Sequence, residues 1–184
     1  ASARGTPQSR ALSLLDALQQ QGVVPDVISY SALISACEKG KQPERALELF
    51  EAMQRQGVVP NVITYNACIS ACENGQQAKR ALEMLEAMQR QGVVPDVITY
   101  NAAISACDKG GQLGWALGLL GEMRRRCVAP TVETFGAAIS ACGKGQDAER
   151  ALCLLNELQD RRLEPSLVLC NTAISACAQG KQWA

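Results

Sequence analysis

The chain has 184 residues, of which 47% are hydrophobic, 20% are charged and 4% are aromatic. Its 18 basic and 18 acidic residues cancel to a formal net charge of zero, and it contains no histidine. This composition is typical of an ordinary folded protein, and it excludes histidine-based catalysis and most catalytic zinc sites. No apolar run in the sequence is long enough for a membrane span, so no membrane partner is expected.

A 35-residue repeat organises the sequence. Residues 27–61 and 62–96 differ at only ten of their 35 positions, which low complexity does not produce. Three residue types recur at this interval along the chain, namely Pro25, Pro60, Pro95, Pro130 and Pro165, Cys37, Cys72, Cys107, Cys142 and Cys177, and Gly40, Gly75, Gly110, Gly145 and Gly180. The chain is therefore predicted to consist of tandem copies of one structural unit.

Each unit is predicted to form two helices, which in the first complete unit run over about Val27–Lys39 and about Pro43–Gln56. Apolar residues recur every three or four positions in both segments, so each helix has one apolar stripe. The stripes consist of Tyr30, Leu33, Ile34 and Cys37 in the first helix and Ala46, Leu47, Phe50 and Met53 in the second. Gly40 and Gly57 follow the two helices, where glycine favours termination.

Two helices of this length cannot bury their stripes alone, but stacked units can. The predicted fold is therefore all-α, a right-handed α-solenoid of stacked antiparallel helix hairpins with about five repeats, including half-units at both ends. Complete units are expected at 27–61, 62–96, 97–131 and 132–166. Residues 1–26 are expected to form the second helix of a preceding unit, and residues 167–184 the first helix of a truncated one. We therefore expect the sequence to be part of a longer array.

The residue before each predicted first helix has a side chain that caps helices well. These residues are Asp26, Asn61, Asp96, Thr131 and Ser166. An oxygen at this position accepts a hydrogen bond from the first turn and stabilises the helix by about 1 kcal/mol. Capping alone accounts for their type, although a capping side chain can also present an atom to a ligand.

An apolar residue also recurs on the polar side of each first helix. Ile28 lies three positions before Ser31, and Ile63 and Ile98 precede Asn66 and Asn101 in the same way. Flat apolar side chains can sandwich a nucleic-acid base, while amides and hydroxyls hydrogen-bond its edge. The residues themselves leave a second interpretation open, in which these isoleucines pack between neighbouring first helices.

Nine cysteines raise the question of a metal or redox site. The sequence contains no Cys-x-x-Cys pair, and equivalent cysteines of stacked helices are expected about 9–10 Å apart, beyond the reach of a disulfide. Cys68 and Cys72 lie one helical turn apart, but nothing else completes a metal site. We therefore expect buried, close-packed cysteines and no metal or other cofactor.

The sequence resembles the pentatricopeptide repeat family. The resemblance rests on Val-Ile-Thr-Tyr-Asn-Ala at 97–102, on Ala-Leu-Glu-Met-Leu-Glu-Ala-Met at 81–88, on Gly-Val-Val-Pro-Asp at 92–96 and on the period of 35. It covers residues from about 7 to 184. Proteins of this family are modular readers of single-stranded RNA, mostly in organelles, and each repeat addresses one base.

The resemblance assigns roles to particular positions of a unit. The fifth and last residues select the base, the second packs against the base, and a lysine at the thirteenth approaches phosphate. The base-selecting residues are then Ser31 with Asn61, Asn66 with Asp96, Asn101 with Thr131, and Gly136 with Ser166, together with Asp26 and Asn171 of the incomplete units. The stacking residues are Ile28, Ile63, Ile98 and Val168, and the phosphate-binding residues are Lys39, Lys109 and Lys144.

By this resemblance, the three regular units favour adenine, uracil and a pyrimidine, read from the 5′ side with the N-terminal unit first. The fourth unit departs from the family pattern, because Gly136 has no side chain and Glu133 stands where the others have Ile or Val. A carboxylate there disfavours stacking and repels phosphate, so this unit is expected to be a weak or skipped reader. Because the net charge is zero, RNA affinity is expected to depend on a local basic stripe.

The function expected from the resemblance is sequence-selective binding of single-stranded RNA in a mitochondrion or chloroplast, serving RNA processing, editing, stability or translation. Recruited RNA-processing proteins are possible further partners, and no small-molecule substrate is expected. The chain itself is not expected to be an enzyme, because the zinc-binding motifs of a deaminase and the acidic cluster of a nuclease are missing. The alternative is a helical scaffold that binds a peptide or protein in its groove.

Overall fold

The computed structural model describes residues 25–179, which form helices and connecting turns without a strand. The first helices of successive units are α1 (Val27–Lys39), α3 (Val62–Asn74), α5 (Val97–Lys109), α7 (Val132–Lys144) and α9 (Leu167–Gln179). The second helices are α2 (Pro43–Arg55), α4 (Ala78–Arg90), α6 (Leu113–Arg125) and α8 (Ala148–Asp160). The predicted helix at residues 1–26 lies almost wholly outside the described residues.

Each first helix begins at the capping residue that the sequence predicts. The Asp26 side chain accepts a hydrogen bond from the backbone of Ser29, and the Ser166 hydroxyl accepts one from the backbone of Leu169. Full capping boxes form at Asn61 and Asp96, where a threonine three residues later bonds back to the cap. The Thr134 hydroxyl likewise accepts a hydrogen bond from the Thr131 backbone N–H. These contacts satisfy backbone N–H groups that no helical partner reaches.

The helices stack in two layers. Each first helix packs against the first helix of the next unit, and each second helix packs between the first helix of its own unit and that of the next. The second helices make no comparable contact with one another in the described part of the chain. The first helices therefore form a closely packed inner layer, and the second helices form a more open outer layer.

The core lies between these layers and repeats with the units. One fully buried aromatic side chain comes from each of four first helices, namely Tyr30, Tyr65, Tyr100 and Phe135. Phe50 of one unit meets Tyr65 of the next edge-to-face, with ring centroids 5.1 Å apart. A buried side chain of this size contributes about 1.5–3 kcal/mol, and each core cluster contains side chains of neighbouring units. No unit can therefore complete its core alone.

The all-α solenoid of stacked helix hairpins is confirmed. The second helix of the first complete unit ends at Arg55, one residue before the predicted end. Cys37, Cys68, Cys72, Cys107 and Cys142 are buried, as predicted, whereas Cys127 and Cys153 are exposed. None of the described helices has both the length and the apolar character that a membrane span requires.

The turn after each second helix contains a residue in the left-handed backbone region. Gly57 and Gly92 occupy this position with φ of 73° and 72°, which glycine adopts without strain. The third unit places Cys127 there with φ of 58°, although its side chain is exposed and gains no packing. An L-residue in this conformation costs about 1–2 kcal/mol.

Replacing Cys127 by Gly should therefore raise the free energy of unfolding by about 1 kcal/mol. The reciprocal variant Gly92→Ala should lower it by a similar amount, because nothing lies within 4 Å of the added Cβ and only backbone strain is introduced. Urea denaturation followed by circular dichroism measures both changes. A Cys127→Gly variant that is less stable than the parent would contradict this account of the turn.

Candidate nucleic-acid interface

The second residues of the units project from the inner layer into solvent. Ile28, Ile63, Ile98 and Val168 are between 57% and 75% exposed. This exposure contradicts the interpretation that these side chains pack between neighbouring first helices. A regular row of uncovered β-branched side chains is unfavourable in water unless a ligand covers it.

A groove of about 560 Å³ runs across the inner layer at α3, α5 and α7. Ile98 and Asn101, which the sequence assigns to stacking and base selection, open into it together with Glu133 and Gly136. A second groove of about 420 Å³ lies between α7 and α9, where Val168 and Asn171 open beside Lys144. The second, fifth and thirteenth positions therefore lie along one surface, which we call the inner groove.

The two residues predicted to select a base lie together in two of the units. Asn66 Nδ2 donates a hydrogen bond to Asp96 Oδ1 at 3.2 Å, and Asn101 Nδ2 donates one to Thr131 Oγ1 at the same distance. These pairs are 30 residues apart in the sequence and meet because the last residue of one unit caps the next first helix. No side-chain bond joins Gly136 to Ser166, since Gly136 has no side chain.

A third residue, which the sequence reasoning missed, links the members of each pair. It is the third residue of the following unit, a fully buried threonine at 64, 99 and 134. Thr99 Oγ1 lies 2.6 Å from Asn66 Oδ1 and 2.9 Å from Asp96 Oδ1. In the first complete unit Ser31 and Asn61 make no direct bond but are joined through the Thr64 hydroxyl. The sequence feature that indicates this residue is the recurrence of threonine at the third position of three successive units.

The pKa values of two carboxyl groups at this surface, Asp96 and Glu133, lie below their ordinary values. Burial raises the pKa of the Asp96 carboxyl, but hydrogen bonds donated by Thr99 and Asn66 outweigh this effect, and the net pKa lies below the ordinary value. A hydrogen bond from Thr131 likewise lowers the pKa of Glu133, which stands exposed in the groove. Asp96 can therefore accept hydrogen bonds from a ligand, and Glu133 presents a negative charge to it.

The lysines predicted to bind phosphate do not form an uncompensated basic stripe. Lys109 Nζ lies 2.7 Å from Glu73 Oε1, and Lys144 Nζ lies 3.0 Å from Asp108 Oδ1. In both cases the acid is the twelfth residue of the preceding unit. Lys39 makes no ion pair within residues 25–179, and Asn74, which replaces lysine in the second unit, donates to the Glu38 carbonyl at 3.3 Å. The sequence reasoning did not anticipate these acids.

Comparison with known protein families matches most of the chain to models of one repeat. Residues 13–75 match a pentatricopeptide repeat domain, residues 60–109 and 95–144 match the PPR repeat family, and residues 133–163 match a further PPR repeat model. The comparison with curated proteins found no match.

Solved structures with this repeat superpose well on the chain. The pentatricopeptide repeat protein PPR10 in complex with an 18-nt psaJ RNA element is 29% identical with a TM-score of 0.77, over 95% of this chain. The PPR domain of Arabidopsis thaliana protein-only RNase P 1, in complex with tRNA, is 20% identical with a TM-score of 0.81, over 93% of this chain and 90% of that one. This chain spans only 26% of the PPR10 chain.

The Asp96 cap generates a prediction about acid stability. Because the pKa of Asp96 is lower in the folded chain than in the unfolded one, its carboxylate stabilises the fold above pH about 4, and this contribution disappears as the pH falls through the folded pKa. Asp96→Asn keeps a capping oxygen, as Asn61 does naturally, but removes the titration. The difference in unfolding free energy between parent and variant should therefore shrink between pH about 6 and pH about 2.

Urea denaturation at a series of pH values measures this difference. The control is Asn61→Ala, which removes a cap without removing a titrating group, so its effect should stay constant with pH. A constant difference for Asp96→Asn as well would show that folding does not lower the pKa of Asp96.

Proposed function

The chain belongs to the pentatricopeptide repeat family, and from this premise we propose that it binds single-stranded RNA in the inner groove, with one unit for each base. The observation that carries the proposal is the hydrogen-bonded pair of fifth and last residues, repeated at 35-residue intervals beside an exposed isoleucine. This arrangement offers each base an apolar contact for its face and polar atoms for its edge, which is how single-stranded RNA is recognised.

The polar atoms left free at each pair fit the edge of a base. Asn66 donates one amide N–H to Asp96 and accepts one hydrogen bond from Thr99, so a second N–H and a lone pair of its amide remain to bind a base. A neighbouring donor and acceptor complement the alternating acceptor and donor of a uracil edge. Ser31 and Asn61 supply a different set of hydrogen-bonding atoms in the preceding unit, and the family pattern associates this pair of residues with adenine.

We therefore propose a 5′-adenine-uracil-pyrimidine-3′ preference for the three regular units, with the N-terminal unit at the 5′ side. The fourth unit has neither an amide nor an apolar side chain at its reading positions, and it contributes little to selectivity. Asn171 begins a further reader after the fourth complete unit, and Asp26 completes one that precedes the first complete unit.

Phosphate contacts in this groove require an exchange of partners. A phosphate that approaches Lys109 or Lys144 competes with Glu73 or Asp108, so each contact gains less than an unpaired lysine would give. The proposed affinity is accordingly modest for each unit and increases with the number of units. An array longer than these four would be needed to mark one site among many transcripts.

The proposed role is binding without catalysis, and it needs no cofactor or small-molecule substrate. By the family pattern we place the protein in a mitochondrion or chloroplast, where recruited RNA-processing proteins would act on the bound transcript. The alternative, a scaffold for a peptide, fits the inner groove less well. A single peptide would favour varied lining side chains, whereas the groove repeats Ile with Asn or Ser.

An exchange of reading pairs between units tests the proposal within the chain. The double variant Asn66→Ser, Asp96→Asn gives the second complete unit the pair of the first. Its preference at the corresponding nucleotide should change from uracil to adenine, with a change in relative affinity of about tenfold, the equivalent of about 1.4 kcal/mol. Fluorescence anisotropy with short RNAs that carry each base in turn at each position measures this preference.

The matched control is the nucleotide read by Ser31 and Asn61, where the preference should not change. Equal affinity of the parent for all oligomers would contradict one-base recognition. An absence of RNA binding even at low ionic strength would favour the peptide scaffold instead.

Glu133 generates a second prediction, because its ionised carboxylate faces the groove at a stacking position. Glu133→Val should strengthen RNA binding by about threefold to tenfold at low salt, through loss of repulsion and gain of apolar contact. Glu133→Gln removes the charge alone and should give part of the gain. Glu149→Gln in the outer-layer helix α8 also removes one exposed carboxylate and should leave affinity unchanged. Equal effects at 133 and 149 would reject the groove assignment.

A further inference from the structure

Three buried threonines connect consecutive units through their hydroxyl groups. Thr64, Thr99 and Thr134 have no exposed surface, and each hydroxyl contacts the cap residue before it and the fifth residue of the preceding unit. The distances to that fifth residue are 2.8 Å from Thr64 to Ser31, 2.6 Å from Thr99 to Asn66 and 2.5 Å from Thr134 to Asn101. These contacts join residues 33 positions apart in the sequence.

The hydrogen-bond geometry around Thr99 fixes the orientation of the Asn66 amide. The Thr99 hydroxyl accepts from the Asp96 backbone N–H at 3.1 Å, and of its two neighbouring acceptors Asn66 Oδ1, at 2.6 Å, is nearer than Asp96 Oδ1, at 2.9 Å. The other end of the amide donates to the Asp96 carboxylate. Rotating the amide by 180° would turn its oxygen toward that carboxylate and its N–H₂ away from it. Thr99 and Asp96 together therefore determine which atoms of Asn66 face the groove.

Helix capping alone does not require this link. A cap needs only the bond between its side chain and the backbone of the first turn, which Thr99 N–H provides to Asp96 Oδ1 at 2.9 Å. The contact from the threonine hydroxyl to the preceding unit is additional, and it involves the side chain that reads the base.

The chain contains an internal comparison that separates the two roles. Where the fifth residue is Ser31, Asn66 or Asn101, the third residue of the following unit is threonine. Where the fifth residue is Gly136, the corresponding residue is Leu169, which is buried with its Cδ1 3.9 Å from the position of an added Cβ at 136. The helix at Leu169 still has a cap, from Ser166. Threonine therefore accompanies a polar reader and is absent where the reader is absent.

We propose that Thr64, Thr99 and Thr134 are positioning residues for base selection, each of which holds the reading side chain of the preceding unit in one orientation. The inference rests on the proposed RNA-binding function and adds a third position to each reader. The orienting group comes from the next unit, so the selectivity of one unit depends on its neighbour. A reader at the end of an array, or before a unit without this hydroxyl, is then less selective than an internal one.

The test compares Thr99→Val with Thr99→Ser, using relative affinity for uracil and cytosine at the nucleotide read by Asn66. Thr99→Val removes the hydroxyl while keeping a β-branched side chain, and it should reduce this discrimination by about threefold to tenfold. Thr99→Ser retains the hydroxyl and should retain the discrimination. Thr134→Val is the matched control, because it should reduce discrimination at the following nucleotide and leave the uracil position unchanged.

The ratio of affinities separates positioning from a merely structural role. Loss of stability alone would lower binding to all oligomers equally and leave the ratio unchanged, which would overturn the inference. The same ratio in Thr99→Val and Thr99→Ser would also overturn it. If the parent itself binds RNA without preference, the proposed function fails first, and the positioning role fails with it.

A gain of selectivity provides a second variant set, which adds the orienting hydroxyl instead of removing it. Gly136→Asn supplies a reading amide to the fourth unit, and Gly136→Asn with Leu169→Thr also supplies the orienting hydroxyl. The double variant should discriminate among the four bases at the fourth nucleotide at least threefold better than the single variant. Equal discrimination by the two variants would overturn the inference.

Discussion

The packing of each first helix against the next one determines the rest of the structure. A single helix hairpin of this length leaves part of its apolar stripe uncovered, so the apolar side chains of successive units must meet to complete a core. Because the same 35-residue pattern repeats, every contact between neighbouring units repeats with it. A continuous core on one side of the inner layer therefore produces a regular row of groove positions on the other side.

The residue between two units has two roles that follow from this packing. As the cap of the following helix, Asp96 must place an oxygen beside the first turn, and stacking brings that turn next to Asn66 of the preceding helix. A residue that serves local helix formation is thereby held beside Asn66, the proposed reading side chain 30 positions away. Capping and base selection are compatible, because a carboxylate, an amide and a hydroxyl can each accept more than one hydrogen bond.

The sequence predicted features that depend on local chemistry and periodicity. Helix limits followed from apolar spacing, from caps such as Asn61 and from terminating glycines such as Gly57, because these signals act within a few residues. The features that it did not predict depend on contacts across units. In the sequence, Thr99 has the position of an ordinary capping-box residue and Glu73 that of an ordinary surface acid. Only the structure shows that Thr99 contacts Asn66 and that Glu73 pairs with Lys109. Neither contact has a local signal, because its two residues are 33 or 36 positions apart.

The same ion pairs determine what kind of selectivity this groove can have. An uncompensated basic groove attracts every RNA through its phosphates, and this contribution carries no sequence information. In the proposed complex the paired acids reduce that contribution, while the hydrogen-bonding atoms of Asn66, Asp96 and Asn101 remain available to a base. A larger fraction of the binding free energy then comes from contacts that distinguish one base from another. In the proposed complex, weak binding per unit and strong dependence on sequence thus have the same physical origin, the ion pairs of Lys109 with Glu73 and of Lys144 with Asp108.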